Sequence, residues 1–226
     1  MEKFNIAIDG PAGAGKSTIA RLVANALGFV YVDTGAMYRA VTWSILQQGL
    51  PLEQTADLIA LTERLDIRLE PGEHGQLVFV DGKDVTGMIR SAEVTGNVSR
   101  IASIAEIRSI LTAKQKELAS KKGVVMDGRD IGSHVLPDAE LKIFLTASVR
   151  VRAERRLKEI SGDRPDITLE QLEREIAERD RMDEQREASP LVKAPDAVWM
   201  DTTEMTIPEV VDRILELCKT RVSGVN

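Results

Sequence analysis

Short apolar runs alternate with amphipathic stretches along nearly the whole chain. Residues 4–8 read as a buried strand, and Ile19, Leu22, Val23, Ala26 and Leu27 place one apolar face on a helix over 16–27. Residues 29–32 form a second strand, and Met37, Ala40, Val41 and Ile45 at helical spacing predict a helix over 36–48. The pattern then changes to period two: Leu65, Ile67 and Leu69, followed by Leu77 and Phe79 with Val78 and Val80 opposite, and then Val85. This predicts a small antiparallel excursion with turns at 71–75, where His74 is a solvated loop residue, and at Asp81-Gly82. Helices are predicted over 91–104 and 107–122, the second stopped by Lys121-Lys122-Gly123. A short strand over 124–126 closes on Asp127, and another covers 141–145. An arginine-rich helix over 149–160 leads into a polar loop at 161–166. Thr168 and Gln171 have capping-box spacing and start a long helix to about residue 188. A fifth strand at 197–200 and a helix over 206–221 complete the chain.

Strands separated by helices imply an α/β fold, a five-stranded parallel sheet flanked by helices. One unit over 1–226 is expected, with a small β insert at 62–90 and a short lid at 158–167. Aliphatic residues carry the apolar content and aromatics make up only 4%, as suits buried parallel strands under helices. The formal charge of −6 argues against a nucleic-acid or anionic-membrane surface binder. With no apolar run long enough for a membrane span and no signal-peptide pattern, the expectation is a cytoplasmic protein. Its one cysteine, Cys218, reads as a small helix residue without chemistry.

The stretch Gly10-Pro11-Ala12-Gly13-Ala14-Gly15-Lys16-Ser17-Thr18 begins directly after the first strand and fits a P-loop, a phosphate-binding loop. Glycines let successive N–H groups curl around a phosphate. Lys16 brings charge to its outer oxygens, and Ser17 offers a hydroxyl to Mg²⁺. Asp127, closing a buried strand downstream, either orders that Mg²⁺, directly or through water, or caps the following turn. Three further clusters fall at element ends: Asp33-Thr34-Gly35-Ala36-Met37-Tyr38-Arg39, Asp127-Gly128-Arg129-Asp130, and 179–186 with its three arginines. Arginine forks suit phosphate clamping, so a second phosphate site is one reading. Ordinary ion pairs along a solvated helix are the other for 179–186, and Tyr38 could be plain core.

These four motifs, in this order and spacing, closely resemble the bacterial type of cytidylate (CMP) kinase over nearly the whole chain. The resemblance implies transfer of the γ-phosphoryl of ATP to CMP or dCMP, with Mg²⁺. By motif, Thr34, Ser99, Arg108 and Asp130 correspond to the cytosine-reading set. Tyr38, Arg39, Arg129 and Arg186 correspond to the acceptor-phosphate set, and Asp183, with Arg179, to the sugar contact. Lys16, Arg129, Arg179 and Arg186 are the expected catalytic residues, without a general base, because the acceptor phosphate is already mostly a dianion near pH 7. Arg155 and Arg156 are expected to serve the lid. The expected partners are CMP, dCMP and ATP, with no nucleic acid or membrane, and the expected state is a monomer. Another nucleoside monophosphate kinase, for UMP or AMP, is the alternative. A GTP-dependent switch would call for an N-K-x-D motif, which is missing from the sequence.

Overall fold

The computed structural model describes residues 3–73, 75–160, 162 and 166–222. His74 and most of the predicted lid tip (161 and 163–165) lie outside them. The described chain divides into two compact units, 1–30 with 122–226, and Tyr31–Lys121.

In the first unit, β1 (Asn5–Asp9) is buried throughout, with Ile6, Ala7 and Ile8 fully inaccessible. It pairs in parallel with β6 (Val124–Gly128) on one side and β7 (Leu141–Thr146) on the other. β7 in turn pairs in parallel with β8 (Val198–Asp201). β2 (Val30–Asp33) begins beside β6, with the Val30 N–H donating to the Gly123 carbonyl at 2.8 Å. The sheet order is β2-β6-β1-β7-β8. The chain therefore leaves β1 toward one edge of the sheet and later builds the other, and the crevice at the carboxyl end of β1 is where such sheets place ligands.

Four helices belong to this unit: α1 (Lys16–Leu27), α6 (Val149–Ile160), α7 (Leu169–Gln185) and α8 (Ile207–Val222). α6 and α7 pack through Ala153, Ile160, Leu172 and Ile176. Thr168 and Gln171 form the predicted capping box, at 3.2 and 2.9 Å. The helix ends sooner than its sequence pattern suggests. Arg186 has extended backbone (φ −65°, ψ 141°), so it stands beyond the helix and not in its last turn.

The second unit holds α2 (Thr34–Gln47), α3 (Thr55–Arg64), α4 (Ala92–Ala102) and α5 (Ala105–Ala119) around an antiparallel sheet, β3 (Ile67–Gly72), β4 (Gly75–Val80) and β5 (Lys83–Asp84). Asp81 and Gly82 both take positive φ, 50° and 80°, as the turn between β4 and β5 requires. Asp33 caps α2, accepting from the Ala36 N–H at 2.9 Å, and starts that helix two residues earlier than its apolar spacing shows. α3 is a helix the apolar pattern does not reveal. It buries only Leu58, Leu61 and Thr62, and its N-cap, Gln54, makes no side-chain cap. The core of this unit runs through Met37, Val41, Ile45, Leu58, Ile101, Ile107 and Leu111.

Candidate active site

The loop between β1 and α1 is shaped by its neighbours as much as by its glycines. At Gly10 (φ 150°) a Cβ would lie 1.9 Å from the Leu145 carbonyl oxygen of β7, a collision that no side chain survives. Gly13 (φ 74°) sits against Arg152, whose Cβ and carbonyl oxygen would each be 3.3 Å from an added methyl. Gly15 caps α1 in the left-handed region without a side-chain cap, and the first turn carries no acidic residue. The leading N–H groups of α1 and its dipole are therefore directed at whatever anion the loop holds.

Lys16 is buried and donates to the Pro11 carbonyl at 2.7 Å. Burial and the positive charge of Arg129 pull its pKa well below the usual lysine range, with Arg179 adding to the effect and Asp127 and Asp183 opposing it. Ser17 donates its hydroxyl to Asp127 Oδ2 at 3.0 Å, so a hydroxyl and a carboxylate stand together at the ends of α1 and β6. Among the described residues no group of three or more His, Cys, Asp or Glu is arranged to hold a metal.

Around this loop the first unit gathers the predicted arginines. Arg129 Nε donates to Asp183 Oδ2 at 2.8 Å. Arg186 lies 3.6 Å from Asp130 and 3.8 Å from Asp183, its side chain 4% exposed. Burial opposes ionisation of Asp183, but Arg129, Arg179 and Arg186 outweigh it and hold the carboxyl below its ordinary range. Arg179 is half-buried, and burial together with Arg129 pushes its pKa down. Its Nε finds no hydrogen-bond partner. Like charges on Lys16, Arg129 and Arg179 thus share one poorly solvated place, an arrangement that an oxyanion relieves. The reading of 179–186 as solvated ion pairs holds only for Arg181, which pairs with Glu178 at 2.6 Å.

The second unit carries the remaining predicted residues. Thr34 opens α2 and is buried, with Tyr38 one turn on. Arg108 of α5 stands over the Tyr38 ring, 5.3 Å from its centroid, and donates to the Ala102 carbonyl at 3.1 Å. Arg39 reaches Thr95 Oγ1 at 2.8 Å. Ser99, one turn beyond Thr95 on α4, is half-buried.

Three residues near the loop were not singled out by motif: Arg152, Asp180 and Asp9. Arg152 Nη1 donates to the Ala12 carbonyl at 2.7 Å and to Asp180 Oδ2 at 2.6 Å, while Asp180 Oδ1 accepts from the Ala12 N–H at 3.0 Å. An ion pair between α6 and α7 thereby grips both polar groups of one loop residue. Arg152 is one of four arginines in α6 and nothing local marks it. Asp180 lay inside a cluster read for its arginines. Arg155 and Arg156 are engaged elsewhere, with Thr202 at 2.7 Å and with Glu159 at 2.9 Å.

A family profile described as cytidylate kinase matches residues 6–220. The chain belongs to the cytidylate kinase family. It is 56% identical over 219 residues to the cytidylate kinase of Exiguobacterium sibiricum, covering 97% of this chain and 98% of that protein. It is 51% identical over 224 residues to that of Bacillus cereus, covering 99% and 98%. A solved structure of an uncharacterized protein from Eubacterium ventriosum aligns with a TM-score of 0.54 at 10% identity, over 96% of this chain and 99% of that one, which reflects the fold alone. As a cytidylate kinase, the chain is an enzyme that uses ATP to phosphorylate a cytidine nucleotide. Among the described residues no helix is long and apolar enough to cross a membrane.

Proposed function

We propose that the loop of residues 10–18 holds the phosphates of ATP, and that Lys16, Arg129, Arg179 and Arg186 neutralise the phosphoryl group in transfer to CMP or dCMP. The observation that carries this is the convergence of Lys16, Arg129 and Arg179, both arginines acting on the charge of Lys16 and Arg129 on that of Arg179, with a buried nitrogen of the Arg179 guanidinium left without a partner. Arginine forks present paired N–H groups that match phosphate oxygens and do not deprotonate at neutral pH. Asp183 holds Arg129 at 2.8 Å, so the fork is aimed before substrate arrives. In this reading Asp183 also meets the sugar. Thr34, Ser99, Arg108 and Asp130 read the cytosine, and Tyr38 and Arg39 contact the acceptor phosphate.

Ser17 and Asp127 fit Mg²⁺, since a hard cation takes oxygen ligands and leaves its other positions to water and phosphate. Bound there, the ion would supply further neutralisation of phosphate charge. No side chain is assigned as a base: the acceptor phosphate is already mostly a dianion near pH 7, so alignment and charge compensation carry the reaction. The enzyme is taken to work as a cytoplasmic monomer without nucleic acid.

A coupled assay of ADP release across nucleoside monophosphates tests the reading. CMP and dCMP should be turned over with a large preference. Comparable turnover of AMP or UMP would refute the assignment of the base-reading residues.

A further inference from the structure

We infer that Asp9 is a positioning residue for the acceptor nucleotide: its carboxylate fixes the turn that presents Arg129 and Asp130 to the cytidine nucleotide. The inference rests on the reading of those two residues given above.

Asp9 is the last residue of β1, beside Gly128 in the register of β6, and only 4% exposed. Its Oδ1 accepts from the Ile131 N–H at 2.8 Å and its Oδ2 from the Gly132 N–H at 2.7 Å. These amides directly follow Asp130 and open a wide turn over Ile131–Val135, in which the Asp130 carbonyl accepts from His134 and Val135 at 2.9 and 3.2 Å. Two bonds from one planar group fix both the position and the rotation of the peptide planes they meet. Packing reinforces this: a Cβ on Gly132 would lie 3.3 Å from Asp9 Oδ2 and 3.2 Å from Lys142 Cδ. The next residue after Asp9 is Gly10, where the phosphate loop starts, so a single residue ties the loop covalently to the turn it holds by hydrogen bonds.

A carboxylate is a costly choice for satisfying two amides. Burial is the main influence on this one, raising its pKa to about 6, and Asp130 raises it further while the two amides and Lys16 oppose. Groups held against such a cost cluster at functional sites.

Steady-state kinetics of Asp9→Asn, Asp9→Glu and Asp9→Ala, with thermal melts of each, test the inference. Asp9→Asn keeps one acceptor and should remain folded. Its KM for ATP is expected within about twofold of wild type, while kcat/KM for CMP falls about tenfold or more and preference for CMP over UMP shrinks, as for loss of a charge-assisted hydrogen bond. Hydrogen exchange of a peptide spanning 124–136 should accelerate in the same variant. Where Asp9→Ala fails to fold, Asp9→Asn and the exchange data decide. Equal losses for ATP and CMP, or an unchanged CMP to UMP ratio, would overturn the assignment. Arg129→Ala and Asp130→Ala serve as controls. If they leave CMP use intact, the reading of the turn itself fails and the inference with it. If they impair CMP use and Asp9→Asn does not, the inference alone fails.

Discussion

Replacing Asp180 by alanine removes the carboxylate that holds the Ala12 N–H at 3.0 Å and the Arg152 guanidinium at 2.6 Å. What stays behind is a cation whose side chain is 5% exposed. Deleting one partner of a buried ion pair costs about 3–5 kcal/mol, chiefly because the other charge is stranded. Arg152 keeps its bonds to the carbonyls of Ala12 and Ala147, at 2.7 and 2.9 Å. That partial satisfaction puts the expected loss at the lower end, about 3 kcal/mol. For a chain of this size it corresponds to a fall in Tm of about 6–12 °C. The measurement is a thermal melt followed by circular dichroism on Asp180→Ala, Arg152→Leu and the double variant. The double variant should recover much of the loss, because the stranded charge goes too, with a coupling of about 2 kcal/mol or more. KM for ATP should rise in Asp180→Ala, since Ala12 lies in the phosphate loop, and KM for CMP should not. A loss under about 1 kcal/mol, or strict additivity, would show that the pair does not hold the loop.

Lys16→Ala should lower kcat by at least about a hundredfold, the cost of losing a preorganised charge, while circular dichroism stays native; a fall of less than about fivefold would remove Lys16 from the transition state. Gly10→Ala drives a methyl to 1.9 Å from the Leu145 carbonyl oxygen, so ATP affinity and Tm should fall together; native values in a melt and a titration would show that β7 can yield. Asp9 carries a pH prediction of definite sign. Its folded pKa of about 6 lies above the ordinary 3.8, so its contribution to stability is full below 3.8 and is lost as pH rises through about 6. The span is worth about 3 kcal/mol, and the stability of wild type relative to Asp9→Asn should therefore decline between about pH 4 and about pH 7, whereas a constant difference would contradict it.

The parallel sheet was legible because each of its strands is an apolar run bounded by polar or glycine residues, and the phosphate loop because its lysine and serine have no reason to stand in a plain turn. α1 and α6 fall over the predicted residues, since amphipathic spacing marks both of their ends. α3 was hidden because three buried positions and an uncapped start leave too weak a period to read. The end of α7 differs for another reason: the stretch after Gln185 keeps a helical composition, yet Arg186 takes extended backbone and its buried side chain donates to the Ser189 carbonyl at 2.7 Å. Of the residues around the loop, the arginines announced themselves by clustering. Arg152, Asp180 and Asp9 act through partners 28, 168 and 122 residues distant, separations at which a linear pattern carries no signal.

Cys218 is buried at 1% exposure in α8, and burial pushes its thiol up to about 11. A thiol so protonated and so covered reacts slowly with maleimides. The chain is therefore a ready host for site-specific labelling: a cysteine introduced at any exposed position can carry a dye or spin label without first stripping the native one. Probes can thus be placed on each compact unit in turn and followed while nucleotides are added.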